Sequence, residues 1–211
     1  MLSLQKGWLA ASVVSLTWIA GGCGGGAPSR VEMPGINGSD AGKKAIELYD
    51  TNHDGVISGD ELKQSPGLKA ALARYDNGGD GKVTADTIAR RIQQWFDAKL
   101  SLMTVPCKVL LDGKPLDGAT VILEPEPFLG PSVEGATGTT DATGSVLLTA
   151  TNGKPGLVRV GLYKVKVSKQ VGGKETIPAR YNEQTELGVE VAQDSPQMER
   201  GAQFILNLKS R

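Results

Sequence analysis

DTNHDGVISGDE, residues 50–61, is the stretch on which the reading of this chain turns. Side chains carrying oxygen recur at alternate positions, Asp50, Asn52, Asp54 and Ser58, and Glu61 closes the run. Short carboxylates and an amide wrapped around a bend, then a longer carboxylate able to reach back, are what an oxygen cage for a hard cation requires. Gly55 stands where the bend needs a positive φ, which glycine adopts without steric cost. Val56 would contribute its backbone carbonyl, and Ser58 its hydroxyl or a bridging water. Ile57, the one large apolar residue within the loop, can anchor it to a core and pair with a neighbouring loop. A polar, Asx-rich turn would explain the acidic residues, but not the order of the whole set.

That spacing is the EF-hand pattern, so the expected cofactor is Ca²⁺, held by Asp50, Asn52, Asp54, Val56, Ser58 and Glu61. Ala45, Ile46 and Tyr49 lead in at helical spacing. Residues 61–64 begin an outgoing helix, and Ser65-Pro66-Gly67 reads as its stop. A second loop, DNGGDGKVTADT at residues 76–87, keeps part of the pattern. Asp76, Asp80, Lys82 and Thr84 stand at its ligand positions, Gly81 at the bend and Val83 at the apolar position. Gly78 offers no side-chain oxygen, however, and Thr87 cannot act as a bidentate carboxylate. This loop is therefore expected to be a weak or empty partner whose Val83 pairs with Ile57. The two loops stand close together, as in compact EF-hand pairs of exported bacterial proteins. With only four Met in the chain, a Met-rich target groove is not expected.

The helical period continues through residues 68–75, with Leu68, Leu72 and Tyr75 on one face. It continues again after Thr84, where Ile88, Ile92, Trp95 and Leu100 form an apolar stripe. Near Thr104 the period changes from 3.6 to 2, and short alternating segments follow, separated by Gly, Asp, Asn and Pro. Strands are expected at residues 105–111, 119–124, near 139, and at 145–149, 163–168, 187–191 and 202–208, with Asp112-Gly113 as a hairpin turn. The fold class expected is α+β: a small helical EF-hand pair at residues 41–103, then an antiparallel β-sandwich of about seven strands at residues 104–211.

Three pieces of the second part, CKVLLDGKPLDGATVILEPE, GTTDATGSVLLT and GLYKVKVSK, resemble the carboxypeptidase regulatory-like, or transthyretin-like, domain. The segment IPARYN, residues 177–182, is similar to versions of that domain in bacterial lipoproteins. The resemblance implies a β-sandwich without catalytic residues of its own. The Pro-rich run at residues 125–131 and the region 194–200 depart from it.

The N-terminus reads as a targeting segment. Lys6 precedes an apolar run from Trp8 to Ala20 that is short for a membrane span, and small residues lead to Cys23. The order resembles a bacterial lipobox, with Ala20 where Leu is usual. It implies a signal peptide at residues 1–22, lipidation of Cys23 and a tether at residues 23–40. The product would be exported to the cell envelope and held at a membrane by its lipid; an ordinary secretory signal would instead give a secreted product. Two acyl chains suffice for stable anchoring. Acidic and basic residues balance at 23 each, leaving no basic field for nucleic acid. His53 is the only histidine, which excludes a Ser-His-Asp triad, a Cys-His pair and a histidine zinc site. Glu124 and Glu126 read as a solvated edge, and Cys107 as a buried small hydrophobe beside Val105 and Val109. No enzyme is expected. The alternative to calcium binding alone is an adhesion module that docks a polysaccharide or another envelope protein.

Overall fold

Asn37 starts the first helix. Its side-chain oxygen accepts the Asp40 N–H at 3.2 Å, and α1 runs Gly38–Tyr49. The helix thus begins inside the stretch expected to be tether. The structure, a computed structural model, describes residues 35–153, 155–198 and 203–211. The stretch expected to be a signal peptide, residues 1–22, and Cys23 lie outside the described residues.

Gly42 brings α1 against the start of α4 (Ala85–Asp97). A Cβ there would sit 2.3 Å from the Ala85 carbonyl oxygen, so only glycine allows this approach. Between these helices lie β1 (Ile57–Ser58), a 3₁₀ turn (Glu61–Gln64), α2 (Pro66–Ala70), α3 (Leu72–Tyr75) and β2 (Lys82–Val83). Two local expectations change here. Ser65 ends the 3₁₀ turn, as expected, but Pro66 at once opens the next helix, ahead of the start expected at Leu68, since the first helical position needs no N–H donor. The helix expected over residues 68–75 is divided at Ala71, whose φ of −103° and ψ of 8° leave the helical basin. Tertiary contacts override local propensity: α2 lies on the sheet at Gly188, while α3 turns Tyr75 toward Glu190.

The strands of the second part are β3 (Leu102–Met103), β4 (Pro106–Leu111), β5 (Lys114–Pro115), β6 (Thr120–Pro125), β7 (Ala136–Thr139), β8 (Ser145–Leu147), β9 (Thr149–Ala150), β10 (Val158–Arg159), β11 (Gly161–Ser168), β12 (Gln170–Val171), β13 (Lys174–Glu175), β14 (Gly188–Val191) and β15 (Phe204–Leu208). One sheet has the order β14-β11-β6-β7-β9. Another has the order β15-β4-β5, with β8 also paired to β4. The stretch expected as one strand over residues 145–149 therefore serves two sheets, β8 joining β4 and β9 joining β7. Asp112 and Gly113, at φ 51° and 79°, form the hairpin turn that their sequence signals.

One pairing corrects the sequence reading. β15 runs parallel to β4, with Phe204 opposite Cys107 and Leu208 opposite Leu111, so the strands are not all antiparallel. Parallel neighbours need a long crossover, and nearly the whole second part of the chain separates these two. The architecture is thus mixed α+β with mostly antiparallel strands. Inward residues of both sheets, among them Val121, Leu123, Val165 and Val189 on one and Cys107, Val109 and Leu206 on the other, belong to one core. Ile57, Leu68, Tyr75, Val83, Ile88 and Trp95 from the helical segment join the same core. Among the described residues no helix is long and apolar enough to cross a membrane.

Candidate metal centre

Asp50 caps the C-terminus of α1, which aims its carboxylate into the loop that follows. One oxygen accepts the Gly55 N–H at 2.9 Å and the other the Asp54 N–H at 3.2 Å. Asn52 Oδ1 also accepts from the Asp54 N–H, at 2.9 Å, and Asp54 Oδ1 accepts the Val56 N–H at 3.0 Å. The chain turns at His53, Gly55 and Gly59, all at positive φ. Glu61, on the 3₁₀ turn, reaches back across the loop. Its Oε1 accepts the N–H groups of Thr51 and Asn52 at 2.8 and 3.2 Å, while Oε2 accepts that of Ser58 at 3.1 Å. These donors, Ser58 first, hold the Glu61 carboxyl below its ordinary pKa, so it is ionised at neutral pH.

Both terminal carboxylates, Asp50 and Glu61, are only 7 % exposed although the loop between them is largely open to solvent. Burying carboxylates is unfavourable unless positive charge or dense hydrogen bonding compensates. Backbone N–H groups supply the hydrogen bonding here. Among the described residues no three His, Cys, Asp or Glu side chains already converge as a metal cluster. A cation would draw Asp50, Asp54 and Glu61 inward from these N–H partners, together with Asn52, Ser58 and the Val56 carbonyl. The residue set fits a hard, oxygen-seeking ion.

The second loop has the same frame and a different filling. Asp76 accepts from Gly78, Asp80 and Gly81, the last at 2.7 Å, and Gly81 lies at φ 75°. Gly81 foremost lowers the Asp76 pKa. Lys82 places its ammonium 3.7 Å from Asp80 Oδ2, a covalent cation beside a would-be ligand. Thr84 and Thr87 close a capping box on α4: Thr84 Oγ1 accepts the Thr87 N–H at 3.1 Å, and Thr87 Oγ1 accepts the Thr84 N–H at 3.0 Å. Those two hydroxyls serve the helix start. The loops meet through β1 and β2, where Ile57 lies opposite Val83, the apolar pairing expected from sequence.

Behind each loop stands a buried glutamate from the second part of the chain. Tyr49, just before Asp50, donates its hydroxyl hydrogen bond to Glu126 Oε2 at 2.9 Å. Tyr75, just before Asp76, stands 3.4 Å from Glu190 Oε1, which also accepts from Arg91 Nε at 2.7 Å and Trp95 Nε1 at 3.1 Å. Glu126 corrects the reading of residues 124 and 126 as one solvated edge. Glu124 is half exposed and ion-paired with Lys166, whereas Glu126 is fully buried just past the end of β6. Burial raises the Glu126 pKa. The only local hint was its setting, an acid between Pro125 and Pro127 ahead of the apolar pair Phe128-Leu129. Cys107 is buried and its thiol is pushed up to about 12, so it behaves as a small apolar residue.

Comparison with protein-family models, with curated proteins and with solved structures returned no match for the chain.

Proposed function

We propose that this is an exported, lipid-anchored calcium-binding protein without catalytic activity, with one Ca²⁺ held by residues 50–61. The observation that carries the reading is the pair Asp50 and Glu61. Two buried carboxylates at opposite ends of one loop face its interior, and the oxygens of Asn52, Asp54, Val56 and Ser58 lie between them in sequence. Bound Ca²⁺ would supply the positive charge that this oxygen set lacks. Asp50 and Asp54 would bind through single oxygens, and Glu61 through both. The second loop, with Lys82 over Asp80 and Thr87 spent on a cap, is a structural partner. The strands serve as a transthyretin-like sandwich, their two sheets packed through the shared core.

Outside the cell, calcium near ~1 mM would fill a site with a Kd of ~10⁻⁴ M. Such occupancy stabilises the fold by about 1.4 kcal/mol, which suits a structural ion better than a switch. Calorimetric titration with CaCl₂ should find one site per chain. Glu61→Gln should weaken it by about 100-fold or more, because the bidentate ligand is lost, whereas Thr87→Ala should leave it unchanged. Two equal sites, or heat unaltered in Glu61→Gln, would sink the assignment.

A further inference from the structure

Glu126 comes from the second part of the chain, yet its two oxygens meet the two flanks of the 50–61 loop. Oε2 accepts the hydroxyl of Tyr49, the residue immediately before Asp50. Oε1 accepts the N–H of Gly67 at 2.8 Å, in the helix that follows the 3₁₀ turn carrying Glu61. The Glu126 backbone is itself fixed, its N–H bonded to the Leu162 carbonyl at 2.9 Å on β11. Phe128 sets its ring edge-on to Tyr49 with centroids 6.2 Å apart. Gly67 leaves no slack, since a Cβ there would lie 2.9 Å from Glu126 Oε1. The buried Ser65 hydroxyl nearby makes no hydrogen bond of ordinary geometry. A similar arrangement recurs at the second loop, where Tyr75 faces Glu190.

We infer that Glu126 is a positioning residue for the calcium loop, fixing the distance between the loop's two ends before the ion arrives. The inference rests on the calcium reading of residues 50–61. A bidentate ligand works only when held close to its productive geometry, and ordering the loop beforehand removes part of the cost of binding. Here one carboxylate, seated just past the end of β6, does this for both flanks. By linkage, calcium must in turn tighten the Glu126 contacts, so the ion's effect reaches the strands.

The test uses the full chain and CaCl₂, comparing wild type with Tyr49→Phe, Glu126→Gln and Glu61→Gln by calorimetry and by thermal unfolding with and without calcium. Tyr49→Phe removes one hydroxyl and keeps the ring, so the protein should fold. Its single site should persist with affinity reduced about tenfold, and its calcium-induced rise in Tm should be smaller than that of wild type. Glu126→Gln can still accept from Gly67 and donate to the Tyr49 oxygen, so its affinity should stay within about threefold of wild type. The Gly67 amide should gain protection from hydrogen exchange when wild type binds calcium. Should Tyr49→Phe bind calcium as wild type does, and lose the same Tm in both conditions, Glu126 is merely structural and the inference falls alone. Should wild type bind no calcium at all, the inference and the calcium reading fall together.

Discussion

Gly188 illustrates how much of this fold hangs on one missing side chain. It opens β14, and a Cβ there would lie 1.9 Å from the Pro66 carbonyl oxygen and 2.2 Å from its carbon. Real Cβ contacts to backbone never come so near, so any larger residue must push α2 off the sheet. That displacement would also strain the bond between the Gly67 N–H and Glu126. Gly188→Ala should therefore destabilise the protein by about 3 kcal/mol, at the upper end of overpacking costs. For a chain of this size that is a fall in Tm of roughly 6–12 °C. Gly35→Ala is the matched control, because its nearest neighbour, Ser132 Oγ, is 3.7 Å away. Equal melting temperatures for the two variants would refute the close packing of α2 on β14.

Among the elements, the two loops pose the sharpest contrast: one frame, two fillings. The second loop lacks a side-chain oxygen at Gly78 and a carboxylate at Thr87, and both can be supplied. Thr87→Glu preserves the capping box, since Glu at that position can accept the Thr84 N–H as Thr87 now does. Gly78→Asp adds the third-position oxygen. The double variant should titrate two calcium ions per chain, the new site weaker than the first because Lys82 still sits beside Asp80. A stoichiometry that stays at one would show that the frame itself has drifted. The turns of these loops and the pairing of Ile57 with Val83 were legible because their signals are local, written in consecutive residues. The helices between them were less so. Ser65-Pro66-Gly67 ends one helix and begins the next, and the groups that hold the second in place, Gly188 and Glu126, are far away in sequence. The split of residues 145–149 between two sheets and the parallel docking of β15 on β4 were equally hidden. A period of two states which face a residue shows, not which strand it pairs with or in which direction.

For the molecule as a whole, the change of period near Thr104 marks where helices give way to strands, and charged groups buried across that change tie the segments together. Arg91 is buried beside Ile92 on α4, the helix whose stripe also holds Ile88 and Trp95. In the fold its Nε meets Glu190 at 2.7 Å and its two terminal nitrogens meet Asp194 at 2.8 Å each. Arg74 adds contacts to Glu190 at 3.4 Å and to Asp194 at 3.1 Å. The hydrogen bonds from Arg91 are the main reason the Asp194 carboxyl is held at about 2 instead of the ordinary 3.8, with the charges of both arginines adding to them. A carboxyl depressed in the folded state contributes stability at pH above 3.8, and that contribution is lost as pH falls through about 2. Asp194 is 63 % exposed in its side chain, so solvent screening cuts the contribution well below the full linkage value, to about 1 kcal/mol. Glu126 acts in the opposite sense. Its raised pKa favours the folded state at low pH and opposes it as pH rises through the folded value, so it cannot be the source of an acid-side loss. Asp194→Asn should accordingly be about 1 kcal/mol less stable than wild type in urea at pH 7, with the two denaturation curves converging between pH 4 and pH 2. A difference that persists unchanged at pH 2 would mean that Asp194 holds the helices to β14 by shape and hydrogen bonding, with no part played by its charge.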